Sequence, residues 1–380
     1  MDAILKRLQK QQPQMLRMLQ RFVEAESPTT DKAAVDRFGK IVAEAVAARG
    51  GQVRFITARQ SGDHLRAEFR FGAGRAAGQL LLLGHLDTVW ERGTPARMPF
   101  RIRRGRAYGP GVFDMKAGIM MALFALEALQ AERIAVQKKV VLLLNADEES
   151  SSPSSRAVTE KEARRSGRVL VLEPAFGPQG AVKTARKGVG EFRIRVTGRA
   201  AHAGLDPENG ASAVAELAAQ VLRVTQFADA AKGITVNPGV ISGGTRSNVV
   251  AAEATALVDV RVARSRDLKA LEKRFRELRP IDPRTRLEVT GGFHRPPLER
   301  TPQVAALFEQ AKGLAASLGI ALEEAAVGGG SDGCFTAALG IPTLDGLGAV
   351  GEGAHAEHEN VLVRELPRRA ALLAHLIAAP

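Results

Sequence analysis

Three short aliphatic runs in this chain each end in an imidazole or a carboxylate. Residues 79–83 pass into Gly84-His85-Leu86-Asp87. Residues 139–144 pass into Asn145-Ala146-Asp147-Glu148-Glu149, and residues 169–172 into Glu173-Pro174. Runs that are continuously apolar, not alternating, predict strands covered on both faces, as in the middle of a parallel sheet. A buried strand rarely ends in uncompensated charge, because burying a charge without a partner is costly. Here it would happen three times. Open α/β sheets bind ligands beyond the carboxyl ends of their strands, so the three ends predict one site.

The flanking segments fit such a sheet. Leu5, Leu8, Met15, Met18, Leu19, Phe22 and Val23 recur at helical spacing, and Ser27-Pro28 breaks the pattern before Asp31, an expected N-cap for a second helix. Residues 53–57 and 65–71 read as strands and 115–130 as a helix. The middle of the chain has another rhythm. Strands at 191–197, 234–241, 255–262 and 286–290 enclose helices at 211–225 and 267–278, the β-α-β-β-α-β order of a split βαβ (ferredoxin-like) sandwich. A helix at 301–317, a short strand at 342–344 and a closing helix from Leu366 then resume the first pattern. The expected architecture is α/β: residues 1–186 and 294–380 form a domain with a mostly parallel sheet, and residues 187–293 form an inserted α+β domain.

Composition removes several classes. A chain of 380 residues, 45% hydrophobic and 25% charged, can bury a sizeable core. No apolar run reaches the length of a membrane span; the longest, 119–129, is interrupted by Glu127. The N-terminus has no apolar signal segment, which predicts a cytoplasmic protein. The one cysteine, Cys334, excludes an internal disulfide and reads as a packing residue. A formal charge of +13 raises nucleic-acid binding. The positives are scattered, however, and aromatics are only 4%, too few for base stacking. A solvated basic surface, or compensation for buried carboxylates and an anionic substrate, fits better.

The chemistry-bearing residues are polar in one particular way. His85 and Asp87 are two apart and share a strand face. Asp114 lies in Tyr108-Gly109-Pro110-Gly111-Val112-Phe113-Asp114-Met115-Lys116-Ala117-Gly118, and His355 in Gly353-Ala354-His355-Ala356-Glu357-His358. Singly, each has an ordinary reading: a His-x-Asp pair in a core, a solvated Glu-Glu, an Asp that caps a helix. Together, two imidazoles and several carboxylates suit a divalent metal with nitrogen and oxygen ligands.

These motifs, in this order, resemble the M20 family of dinuclear zinc peptidases and amidohydrolases. The likeness adds Gly198-Arg199-Ala200-Ala201-His202-Ala203-Gly204, Ser247-Asn248-Val249-Val250 and Asp259-Val260-Arg261. Pro99-Phe100-Arg101 and Gly328-Gly329-Gly330-Ser331-Asp332 bring it nearest to the glutamate carboxypeptidase (carboxypeptidase G) branch. The resemblance implies two zinc ions per chain, with cobalt or manganese as substitutes. It implies that Asp114 bridges them, that His85 and Glu173 complete one and Glu149 and His355 the other. Glu148 would be the general base and Asp87 would orient His85. The Asp114–Met115 peptide would be cis. His202 would reach the other subunit's site in a homodimer formed through the inserted domain. Arg261, Asn248 and Arg295 would hold the substrate's free carboxylate, with Lys183, Arg186 and Lys187 adding positive field for an acidic side chain.

The implied function is cleavage of the amide bond to a C-terminal amino acid, glutamate or a similar acidic one, in a small N-acyl amino acid or peptide. An N-acyl-amino-acid or acetylornithine-type deacylase and a dipeptidase are the rivals on the same scaffold, and a non-catalytic binding protein the remote one. Two departures stand out: the run Ser150-Ser151-Ser152-Pro153-Ser154-Ser155 after Glu149, and Met115 after the bridging position. His355 is expected as the ligand over His358, while His64, His294 and His375 read as surface or packing residues.

Overall fold

The strands Gln79–His85 and Lys139–Asn145 pair in parallel from Gln79↔Lys139 to His85↔Asn145. Their polar ends therefore emerge side by side. In this computed structural model, which describes residues 2–71, 76 and 78–380, they are central strands of a six-stranded sheet. Its order is Gln52–Ile56, His64–Phe69, Lys139–Asn145, Gln79–His85, Arg168–Val171, Thr343–Leu344. The last four run parallel, and the first two join antiparallel. The expected strand 65–71 ends at Phe69, and residues 72–75 and 77 lie outside the described residues.

Side chains alternate across this sheet. Leu80, Leu82, Val140, Leu142 and Leu144 face the larger core, and Leu81, Leu83, Val141, Leu143, Val169 and Val171 the smaller one. The larger core is filled by the helix Ala117–Ala131, buried on almost every side, which packs against the helices Ala3–Glu24 and Glu365–Ala378. Asp31 caps the helix Lys32–Ala47 by accepting from the Ala34 amide.

The helix expected from residue 115 begins later. Asp114 and Met115 lie in a turn, Val112–Lys116, with non-helical φ/ψ, and regular α-helix starts at Ala117. Gly111, at φ 70°, opens that turn.

The chain divides into two compact units. Met1–Ala185, Arg300–Val327 and Ser331–Pro380 make the first, and Arg186–Glu299 with Gly328–Gly330 the second. The second unit has an antiparallel sheet in the order Thr235–Gly243, Glu253–Val262, Gly188–Thr197, Arg286–Arg295. The helices Ala213–Thr225 and Ser265–Arg276 complete the β-α-β-β-α-β order. Along Glu253–Val262 alternate residues are buried, so one face carries the core. Phe192 stacks on Phe275 at 4.0 Å there, and Phe227 meets Phe275 edge-on. The entry and exit of this unit face each other, because Arg186 and Leu298 exchange both backbone hydrogen bonds at 2.9 and 3.0 Å. Among the described residues no helix is long and apolar enough to cross a membrane.

Candidate metal centre

The strand ends and two loops of the first unit bring five side chains together. His85 Nε2 lies 3.2 Å from Asp114 Oδ1 and 3.5 Å from Glu173 Oε1. His355 Nε2 lies 3.5 Å from Asp114 Oδ2 and 3.4 Å from Glu149 Oε2. One carboxylate thus sits between two imidazoles, and each imidazole has a second carboxylate of its own. Glu148 joins the same space: candidate ligand atoms of His85, Glu148 and Glu173 lie within 4.8 Å of one another, as do those of His85, Asp114 and Glu149. Among the described residues, the groups whose ligand atoms converge in this way do not include His358. The Asp114–Met115 peptide is cis.

Close packing sets these positions. A Cβ on Gly118 would lie 2.2 Å from the Leu172 carbonyl oxygen, so only glycine lets the helix after Asp114 approach the strand end that carries Glu173. His355 takes φ 63°, a left-handed backbone that places its half-exposed ring over Asp114.

Asp87 differs from expectation. The near partner of His85 Nδ1 is the Asp87 main-chain carbonyl, at 2.9 Å, whereas the Asp87 carboxylate stands at 3.6 Å. Nδ1–H donates to that carbonyl, which leaves Nε2 facing Asp114 and Glu173. The buried carboxylate instead accepts from the Glu148 amide at 3.2 Å, the Glu149 amide at 3.1 Å and Thr29 Oγ1 at 2.8 Å. It fastens the Glu148-Glu149 turn.

The serine run after Glu149 is a fastening as well, with Ser152 and Ser155 buried. Asp147 Oδ2 accepts from the Ser154 amide at 2.7 Å and Ser154 Oγ at 2.6 Å. His64 is almost fully buried. Its Nδ1 accepts from the Ala146 amide, which puts the proton on Nε2, facing Ser154 Oγ at 3.1 Å. Asp332 accepts from Ser152 Oγ and from Asn145 Nδ2.

Residues 81–379 match peptidase family M20/M25/M40. The chain belongs to this family. It is 31% identical to carboxypeptidase G2 of Pseudomonas sp. (strain RS-16), over 97% of this chain and 89% of that one. It is 30% identical to the acetylornithine deacetylase of Salmonella arizonae, over 60% of this chain and 61% of the relative. The crystal structure of aminopeptidase PepT from Bacillus cereus superposes with a TM-score of 0.80 at 22% identity, covering 97% of this chain and 98% of the other. The protein is an M20 metallohydrolase.

The electrostatics of this M20 centre favour a cation. Burial pulls the His85 imidazole down, but Asp114, Asp87 and Glu173 outweigh it and hold it well above the usual histidine range. Asp114 and Glu149 push His355 up to about 10. Asp114 itself is held far below the carboxylate range by the two imidazoles, against the effect of burial. Glu149 is raised by burial, and its Oε1 is buried without a hydrogen-bond partner. Protons on the two rings occupy positions that a divalent ion would take, with the rings then neutral and Nε2 free to ligate. The donor set of two imidazoles and surrounding carboxylates fits such an ion.

The remaining expected residues, Lys183 excepted, lie in the second unit. Arg261 and Arg295 both stand opposite Val189 of the central strand, which puts them in one row on one face. The Arg261 guanidinium is engaged with Asp259 through Nε and Nη2, both at 2.8 Å, and Arg295 is buried. His202 pairs with Val249, and the Asn248 carbonyl accepts from the Ala203 amide at 3.0 Å, so the His202 and Asn248 segments lie side by side. His202 Nδ1 accepts from the Gly204 and Leu205 amides at 3.1 Å each, leaving an exposed Nε2–H. Lys183 and Arg186 are buried, and Arg186 is tied to the Gly329 and Gly330 carbonyls; it does not contribute an open positive field.

Proposed function

We propose that this M20 hydrolase uses two zinc ions to cleave the amide bond to a C-terminal amino acid, glutamate or a similar acidic residue, in a small N-acyl amino acid or peptide. The observation that carries the reading is the Asp114 carboxylate set between His85 and His355, with Glu173 and Glu149 flanking. Asp114 would serve both ions, His85 and Glu173 one, Glu149 and His355 the other. Bound there, the ions lower the pKa of water and polarise the scissile carbonyl.

The chain's own residues do the rest. Glu148, fastened by Asp87 through its amide, takes the proton from the attacking water and delivers it to the leaving amine. Arg261, Asn248 and Arg295 receive the substrate carboxylate, for which a guanidinium offers bidentate donors; Arg261 exchanges Asp259 for it. Similarity to carboxypeptidase G2 supports an acidic amino acid. Similarity to an acetylornithine deacetylase keeps N-acetylornithine as the rival substrate. A panel of N-acyl amino acids and dipeptides, assayed for amine release after zinc or cobalt restoration, decides between them. Hydrolysis of N-acetylornithine without hydrolysis of N-acyl glutamates would overturn the proposal.

The second unit, Arg186–Glu299 with Gly328–Gly330, for which the sequence predicts an insertion at residues 187–293, serves as the dimerisation domain. Val240 and Ile241 on the edge strand and Val214 and Leu222 on the adjacent helix are exposed, a surface that a second copy would cover. His202 then donates its Nε2–H to the developing oxyanion in the partner's site. Chains carrying His202→Ala and Glu148→Ala, each inactive alone, should regain activity when mixed. Hetero-dimers without recovery would refute action across the interface.

A further inference from the structure

We infer that Glu359 is a positioning residue for the metal pair, holding the Asp114 turn and the His355 loop in one fixed register. The inference rests on Asp114 and His355 as metal ligands. Glu359 is fully buried. Its Oε1 accepts from the Phe113 amide at 2.8 Å and the Asp114 amide at 2.9 Å. Its Oε2 accepts from the Gly111 amide at 2.8 Å and from Trp90 Nε1 at 2.8 Å. Four donors converge on four acceptor positions, and three of them are backbone groups of the turn that carries Asp114.

That turn needs such a partner. The amides of Gly111, Phe113 and Asp114 open the turn, where even a regular helix leaves its first N–H groups without an acceptor, and a buried unpaired amide costs about 1–3 kcal/mol. Glu359 supplies the acceptors from the far end of the chain. It also belongs to the His355 segment. The Glu359 amide donates to Ala356 and the Ala356 amide to Gly353, at 2.8 and 2.9 Å. The strand Asn360–Leu362 that follows is pinned between Arg106–Tyr108 and Gly351–Glu352. The His355 ring and the Glu359 carboxylate are thus parts of one short braced loop. The carboxylate fixes Asp114 relative to the ring it faces.

The chemistry specifies a carboxylate. An acceptor-only group answers four donors, whereas a glutamine of the same shape must turn its NH2 toward two of them. Glu359→Gln therefore perturbs the hydrogen bonding and leaves the volume unchanged. The test titrates Co2+ alone into the metal-free full-length chain against a competing chelator, following visible absorption, with folding checked by circular dichroism. The wild-type chain should take up two cobalt ions. E359Q should bind them about 10–100-fold more weakly, with a shifted cobalt spectrum that a merely stabilising residue would not move. A folded E359Q with wild-type affinity and spectrum overturns the inference.

Should E359Q not fold, Trp90→Phe removes one donor and keeps the ring. It should weaken cobalt binding by about tenfold, the lower end of the same range, and unchanged binding would overturn the inference there too. A wild-type chain that takes up no cobalt pair overturns the metal reading itself, and this inference with it.

Discussion

In the first unit the strands Gln79–His85, Lys139–Asn145 and Arg168–Val171 are buried on both faces, and polar residues cluster where they end. In the second unit the strand Glu253–Val262 buries alternate residues only, and Glu253, Thr255, Asp259 and Arg261 face outward with Leu257 among them. One sheet offers chemistry end-on, the other face-on. The ends of parallel strands bring carboxylates close enough to need a cation. A half-exposed antiparallel face spreads its charges at strand spacing, and there Arg261 stands in one row with the buried Arg295. Lesions in the two units should therefore separate: metal content should follow the first, and substrate affinity the second.

The largest effect expected is that of Asp114→Ala. One carboxylate faces both imidazoles, so the variant should lose both metals and all measurable turnover; two tightly held ions by elemental analysis would break the comparison. Glu148→Gln comes next. It should keep both metals and lower kcat about 10²–10⁴-fold, the range for a general base, and metal loss in this variant would make Glu148 a ligand. In the second unit, Phe275→Ala removes a ring stacked in the core and should cost about 3–5 kcal/mol in denaturant unfolding, with metal content of the folded fraction unchanged.

Arg261→Ala should lower kcat/KM by about 10–100-fold, the worth of one charge-assisted hydrogen bond of about 1.5–3 kcal/mol, again at full metal content. An equal loss on a substrate lacking the free carboxylate would place the role of Arg261 elsewhere.

The smallest effect concerns acid. Burial raises Glu162 and Glu216, but Arg66 and Gln79 outweigh it for the first and the Asp282 amide, Gln220 and the Ile281 amide for the second, so both lie below the usual glutamate value of 4.5. A carboxylate depressed in the folded state contributes stability above its unfolded pKa, and that contribution is lost as pH falls through the folded value. Thermal melts of the metal-free protein should show Glu162→Gln and Glu216→Gln each flattening the decline below pH 4.5. Salt should change neither effect much, because the Arg66–Glu162 ion pair is buried and screening acts mainly on exposed charges.

What could be read in the sequence follows from where the information lies. The three aliphatic runs and the residues at their ends are local patterns, and they place His85, Glu149 and Glu173 without further help. The split βαβ order is equally legible, because each of its elements carries its own period. The bracing of the site is not local. Glu359 meets a turn more than two hundred residues earlier in the chain, and Asp332 meets Asn145 and Ser152; no spacing announces either. Asp87 was legible as a site residue, but its carboxylate turns to the Glu148-Glu149 amides because its own carbonyl already occupies His85 Nδ1. The Asp259–Arg261 pair went unread, although residues two apart on a strand share a face.

The paired backbone of Arg186 and Leu298 has a consequence for how the chain assembles. The strand Thr343–Leu344 must find Arg168–Val171 across the whole inserted segment. Closing an unstructured loop of that length carries an entropic cost that grows with the logarithm of its length. Once the insert has folded and its two ends are hydrogen-bonded, the loop left to close runs through residues 172–186 and 298–342, about a third of its former length. The order of assembly this favours is insert before completion of the host sheet, with the hydrogen-bonded base of the insert as the clasp that lets the two outer parts of the chain meet.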